Sequence, residues 1–304
     1  MDEKFAFLDS WNGLSEQDRA YYMMSMSGNE PYQLKGDSLP QKGVPAGKIT
    51  KYHMPDCSKY PGVARDYWIY VPATYRSNQT ACLIIYLDGY NYISNCNAQY
   101  VMDNLIYKKE MPVSIALFIG PGDKGPGYPI YGGEDNRSVE YDSIDGTFAD
   151  FLIQDMIPVL KEKYNITDDP DGRMIVGMSS GGNAAFAAAW NRPDAFRKVI
   201  SHSGSFTNLR GGNLFPTLIR TSEKKPIKVF LCTGEKDLDT TFGSWRISNE
   251  YMASSLQYKG YSYDFQEGVG GHTYMYGGML LPDTMRWMWK DYIKGKKHPD
   301  SHTG

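Results

Sequence analysis

Two short runs in this chain are apolar almost throughout, residues 82–87 (CLIIYL) and 113–119 (VSIALFI), and they constrain its fold most. Successive side chains of a strand point to opposite faces, so such a run must be covered on both sides. Residues 174–176, 198–201 and 227–232 follow, each ahead of a glycine-bearing turn, while residues 66–71 (DYWIYV) alternate until Pro72 ends them. Helical spacing fills the intervals. Phe148, Phe151, Leu152, Met156, Val159 and Leu160 recur at three and four, making one apolar stripe. Residues 184–190 form a second pattern, residues 246–259 end at Gly260 as a helix C-terminus does, and residues 280–292 form the last. Strands alternating with helices predict an α/β fold: a mostly parallel central sheet with helices on both faces.

The chain has 304 residues, 41% hydrophobic, enough for one large α/β domain or two smaller ones. Residues 1–62 are rich in turn formers (Gly28-Asn29, Gly43, Pro45-Ala46-Gly47), with one candidate helix at 16–26 and too few apolar residues for a separate core. They are expected to be an N-terminal extension packed on a catalytic domain of residues 63–304. The net charge is −3 and no block of like charges occurs, so no nucleic-acid or membrane partner is expected. Lys294, Lys296 and Lys297 read as a solvated tail. No apolar run approaches the ~20 residues that span a bilayer. The opening MDEKFAFLDSW is not a signal peptide, which leaves the cytoplasm, or a secreted or periplasmic site if a signal was removed. Cys82 and Cys232 read as buried small hydrophobes; a Cys57–Cys96 bridge is the minor alternative to free thiols. Oligomeric state is left open.

The chemistry centres on Gly177-Met178-Ser179-Ser180-Gly181, the G-x-S-x-G pattern, between the strand at 174–176 and a small-residue helix. Its physics is a sharp strand-to-helix turn that exposes the serine hydroxyl, with glycines where side chains would clash. Ser179 is the candidate nucleophile. A serine hydroxyl needs a base within hydrogen-bond reach. Of five histidines, His298 and His302 lie in the tail and His53 in the extension. His272 follows Gly268, Gly270 and Gly271 in a loop that can reach over the sheet's carboxyl edge, and it comes after the serine, as the order serine, acid, histidine requires. His202, just after a strand, is its rival. The acid that holds the imidazole tautomer should follow strand 227–232, where Asp237 is preferred over Asp239 and Glu235.

An oxyanion hole combines the amide after the nucleophile, Ser180, with one from the loop after an early strand. That loop is Leu87-Asp88-Gly89-Tyr90, so Gly89 or Tyr90 should donate, Tyr90 by preference. The loop at 120–134 is rich in glycine, but Pro121, Pro126 and Pro129 remove amide donors and no Gly-Lys-Ser/Thr follows. It reads as a rim loop, not a phosphate cradle. Arg137 and Glu140 are expected to pair and brace that rim, with Arg137 a candidate for substrate contact. Tyr90, Tyr92, Tyr128, Tyr131, Trp245, Tyr274 and Tyr276 are the candidate rim aromatics.

Asn136-Arg137-Ser138-Val139-Glu140-Tyr141, Gly177-Met178-Ser179-Ser180-Gly181-Gly182, Ser203-Gly204-Ser205-Phe206, Gly234-Glu235-Lys236-Asp237 and Gly270-Gly271-His272 resemble, in this order, the esterase D-like family of α/β-hydrolases. That family includes feruloyl and acetyl xylan esterases of carbohydrate esterase family 1, enterochelin-type siderophore esterases and mycolyltransferases. The resemblance covers residues 67–292 and implies Ser179 as nucleophile, Asp237 as acid and His272 as base. Leu87-Asp88-Gly89 is closer to the siderophore-esterase form of the oxyanion loop, and Tyr274 stands where many relatives carry tryptophan. The expected function is a serine carboxylic-ester hydrolase working through an acyl-enzyme on feruloyl or acetyl esters of plant carbohydrate. Substrate contacts are expected from Arg137, Glu140, Tyr92, Trp245 and Tyr274, with no metal and no organic cofactor. A siderophore esterase is the main rival. Acyl transfer to a sugar uses the same triad, and a non-catalytic glycan-binding relative would show a broken one.

Overall fold

The computed structural model describes residues 31–123 and 136–297. The candidate helix at 16–26 lies outside those residues, as do Tyr128, Tyr131 and the tail histidines.

Eight strands form one sheet: β1 (Lys48–Met54), β2 (Arg65–Val71), β3 (Cys82–Leu87), β4 (Ser114–Ile119), β5 (Arg173–Met178), β6 (Lys198–His202), β7 (Lys228–Gly234) and β8 (Ser262–Gly268). Their order is β1-β2-β4-β3-β5-β6-β7-β8. β3 to β8 run parallel, and β2 is antiparallel to both its neighbours. The helices are α1 (Gly89–Ser94), α2 (Ala98–Tyr107), α3 (Asn136–Tyr141), α4 (Thr147–Phe151), α5 (Ile157–Lys161), α6 (Ser180–Asn191), α7 (Phe215–Thr221), α8 (Trp245–Tyr258) and α9 (Tyr274–Lys297).

The apolar strands are buried on both faces because each face has its own helical layer. Leu83, Ile85 and Leu87 of β3 pack on one side, with Phe151 and Leu152, α6 and α8. Ile84 and Tyr86 pack on the other, with Val101 and Met102 of α2 and Met285 and Trp289 of α9. The stripe at 148–160 is helical, with a π-helical turn at Leu152–Met156 between α4 and α5 that shifts its phase and leaves Val159 half-buried. Gly260 has φ +70°, the left-handed conformation that closes α8.

Two expectations change. The sheet starts before residue 63: Lys48–Met54, placed in the extension, is edge strand β1, paired with β2 from Lys48↔Val71 to Met54↔Arg65. Its charged residues hide the strand signal because an edge strand has little to bury. The final helix begins at Tyr274, not near 280, and runs through Gly277, Gly278 and Pro282. Those glycines are there for contact: a Cβ on Gly277 would sit 2.3 Å from the His202 ring, and one on Gly278 3.1 Å from Cys96. Cys57 and Cys96 are free thiols, the preferred reading, and the alternative bridge does not form.

Upstream of β1, the chain is tied to the domain by polar contacts. Asp37 pairs with Lys108 and Arg286, and the Asn104 amide donates to the carbonyls of Asp37 and Leu39. No described helix is long and apolar enough to cross a membrane.

Candidate active site

Ser179 occupies the junction between β5 and α6 with φ 58° and ψ −124°. A non-glycine residue in that region costs ~1–3 kcal/mol and persists only where its surroundings impose it. Here they do. The Ser179 amide donates to the His202 carbonyl at 2.9 Å, and its carbonyl accepts from Asn183 at 3.1 Å and Ser205 at 2.9 Å. A Cβ on Gly177 would lie 2.1 Å from the Gly181 carbonyl oxygen, and one on Gly182 would lie 2.5 Å from the Ser201 hydroxyl. Gly181 is less constrained, with nothing nearer than 3.3 Å, so the tightest demands fall on Gly177 and Gly182. Ser180 opens α6, where the first helical amides have no intrahelical acceptor and the helix dipole favours negative charge.

The loop between β8 and α9 carries His272, whose Nδ1 lies 2.6 Å from Asp237 Oδ1. Asp237 is buried and also accepts from the Thr233 hydroxyl at 2.7 Å and the Leu238 amide at 2.8 Å. Burial would push its carboxyl up, but the His272 ring and these hydrogen bonds outweigh it and hold the group below the usual carboxylate range. Asp239 and Glu235 are exposed. The histidine loop is braced from far away in sequence: the Gly270 amide donates to the Tyr32 hydroxyl at 2.7 Å, and the Tyr32 ring stacks on Tyr276 at 4.7 Å.

His202 is sealed among Tyr92, Phe230 and Gly277, with its Nδ1 3.0 Å from the Tyr92 hydroxyl. Burial pushes its pKa down to about 3. The unfolded chain takes up a proton near pH 6.5 that the native ring refuses, so stability contributed by the neutral ring falls as pH drops from there towards 3. The expected slope is up to about 1.4 kcal/mol per pH unit. Urea midpoints measured at pH 7 and pH 5 should therefore separate less in His202→Gln than in wild type.

On the opposite side of the elbow, Asp88 sits at φ 51° and α1 begins at Gly89. Gly89 admits no side chain, since a Cβ would be 2.4 Å from the Phe118 backbone. Gly89 and Tyr90, as the first residues of α1, have amides with no intrahelical acceptor. Asp88 is gripped by Arg137 through two hydrogen bonds, 2.7 and 3.1 Å, and by the Tyr274 hydroxyl at 3.4 Å, which Asn91 also meets.

Several expected substrate contacts are structural. Glu140 pairs not with Arg137 but with buried Arg65, at 2.8 and 3.0 Å, because Arg65 projects inward from the start of β2. Replacing Arg65 by Met should cost ~3–5 kcal/mol, since Glu140 would be left buried without its counter-charge; urea denaturation measures it. Tyr92 is fully buried against His202 and Tyr86. Trp245 is also buried, so neither can form an open rim. Trp245 instead links the two halves of the site. Its indole N–H donates to the Ser205 hydroxyl at 3.0 Å, Ser205 lies 3.3 Å from the Ser179 hydroxyl, and the Trp245 ring meets His272 edge-on at 6.2 Å. With its oxygen accepting from Trp245, Ser205 is free to turn its own proton to Ser179. Sequence reasoning missed Ser205, Asp88 and Tyr32; Ser203-Gly204-Ser205-Phe206 was a recognisable motif but carried no role. Among the described residues, no group of three or more His, Cys, Asp or Glu is placed to hold a metal ion.

A serine on a strand-to-helix elbow, with a histidine and its buried aspartate on later loops of the same sheet, is the arrangement of the α/β-hydrolases, here of the carboxylic ester hydrolase class. The Esterase family model matches residues 58–288, and the chain belongs to that family. It is 25% identical over 240 residues to the iron(III) enterobactin esterase of Dickeya dadantii (strain 3937), covering 74% of this chain and 51% of that protein. It is 21% identical over 225 residues to the uncharacterized protein YjcH of Bacillus subtilis (strain 168), covering 72% and 89%. The fold is shared with the enterobactin esterase FES of Shigella flexneri (TM-score 0.66, 19% identity), a match covering 86% of this chain and 64% of that one. It is shared equally with the CE1 ferulic acid esterase AmCE1/Fae1A of Anaeromyces mucronatus (TM-score 0.66, 17% identity), where the match covers 84% of this chain and 95% of that one.

Proposed function

We propose that this esterase works through an acyl-enzyme formed on Ser179, with His272 as base and Asp237 as its orienting acid, on feruloyl or acetyl esters of plant carbohydrate. The observation that carries the mechanism is the 2.6 Å contact between His272 Nδ1 and Asp237. With Nδ1 donating to the carboxylate, Nε2 is the unprotonated nitrogen left to take the serine proton. Ser179 then attacks the ester carbonyl, and the amides of Ser180 and Tyr90 receive the oxyanion. His272 returns its proton to the departing alcohol, and water repeats the sequence to free the acid and the enzyme.

Charge supports a carbohydrate ester over a ferric siderophore. An iron-bound tris-catecholate is strongly anionic and calls for unpaired cations. Arg137, a cation beside the oxyanion loop, is engaged twice by Asp88. The siderophore reading has in its favour the Asp88-Gly89 form of the oxyanion loop and the similarity to the iron(III) enterobactin esterase of Dickeya dadantii. Rates on methyl ferulate, acetylated xylan and a cyclic catecholate trilactone decide between them. The carbohydrate reading expects the highest kcat/KM on one of the first two, and a clear preference for the trilactone overturns it.

A further inference from the structure

A cavity of about 360 Å³ opens beside the oxyanion loop, lined among others by Asp66, Trp68, Asp88, Tyr90, Asn91 and Asp123. We propose that this cavity is a sugar subsite in which a neutral pyranose or furanose ring of the ester's carbohydrate part packs on the Trp68 indole and donates its hydroxyls to Asp66. The assignment rests on the carbohydrate-ester reading above.

Position is the first argument. Asp88, Tyr90 and Asn91 belong both to this cavity and to the turn that presents the oxyanion amides, so a ligand in it lies next to the reacting carbonyl. The aromatic wall is the second. Trp68, half-buried on β2, has its ring 5.7 Å from that of exposed Tyr90 at 37°, and the two offer apolar surface to the C–H face of a sugar.

Charge is the third argument, and it selects the ligand class. Asp66 is bound by Lys51 at 2.6 Å and by His53 Nδ1 at 2.8 Å, and Asp88 by Arg137 at 2.7 Å. Each of these carboxylates has a cationic partner, so neither attracts a cation strongly. Each also retains acceptor positions, since a carboxylate offers about four lone-pair sites. Neutralised acceptors beside an aromatic face suit a neutral polyhydroxylated ring better than an anion or a simple hydrocarbon. Lys51 and His53 come from β1, so the edge strand helps to build the subsite.

The test compares feruloylated arabinoxylan oligosaccharide with methyl ferulate, which carries the same acyl group and no sugar. Trp68→Ala should lower kcat/KM on the oligosaccharide about tenfold or more and change methyl ferulate by less than about twofold, with Trp68→Phe restoring most of the loss. Asp66→Asn should shift the oligosaccharide KM alone. Equal losses on both substrates, or no loss on either, overturn the subsite. Failure of the carbohydrate-ester reading looks different: the wild-type enzyme then hydrolyses no sugar ester. In that event calorimetric titration with ester-free arabinoxylo-oligosaccharide still decides. Binding by wild type that is lost in Trp68→Ala upholds the subsite, and no binding by wild type overturns it.

Discussion

Ser179→Ala is expected to lower kcat for p-nitrophenyl acetate by about 10⁶-fold, the scale on which nucleophile removal acts in other serine hydrolases. The loss should not come from unfolding. The positive φ of Ser179 is imposed by the His202, Asn183 and Ser205 backbone contacts, none of which involves the hydroxyl. Among the described residues the side chain hydrogen-bonds only to Ser205, whose oxygen keeps the Trp245 indole as a partner. Circular dichroism and the urea midpoint should therefore stay near wild-type values while turnover disappears. Hydrolysis that survives the substitution would remove Ser179 from its role.

Asp237→Asn should lower kcat by about 10⁴-fold, through the imidazole and not through substrate affinity. A carboxylate can only accept from Nδ1–H, which leaves Nε2 with its lone pair. An amide nitrogen in the same place can donate to Nδ1, which moves the ring proton to Nε2 and leaves nothing to accept the serine proton. Thr233 donates to Oδ2, while the Leu238 amide and the His272 ring share Oδ1, so an asparagine whose oxygen keeps the Thr233 hydroxyl turns its NH₂ towards the histidine. The expected signature is a fall in kcat with KM nearly constant. The equivalent change at exposed Asp239 should leave both constants within about twofold, as surface substitutions away from a site usually do.

Much of this was legible because double burial leaves a mark on composition. A strand such as Cys82–Leu87 must be apolar at every position, and the order serine, acid, histidine follows from where loops emerge at the carboxyl edge of the sheet. What escaped notice depends on partners distant in sequence. Glu140 looks like a rim acid until Arg65, 75 residues earlier, is brought against it. Trp245 and Tyr92 look like exposed aromatics because their cover comes from other parts of the chain. The start of the last helix reads as a loop because glycine and proline weaken a helical signal, yet Gly277 is there to let the helix pass the His202 ring. Trp68 gives no hint of a ligand, since an alternating strand needs an aromatic there in any case.

The antiparallel pairing of Lys48–Met54 with Arg65–Val71 bears on how the protein can be shortened. A version beginning at residue 63 would leave the DYWIYV segment as an open border of unsatisfied amides and carbonyls, flat and aromatic, ready to add a strand from another molecule. In the intact chain that border is Lys48–Met54 itself, where lysine side chains discourage such stacking. Solubility of the enzyme thus depends on a stretch that contributes no residue to the triad, and light scattering of the two lengths would reveal the difference.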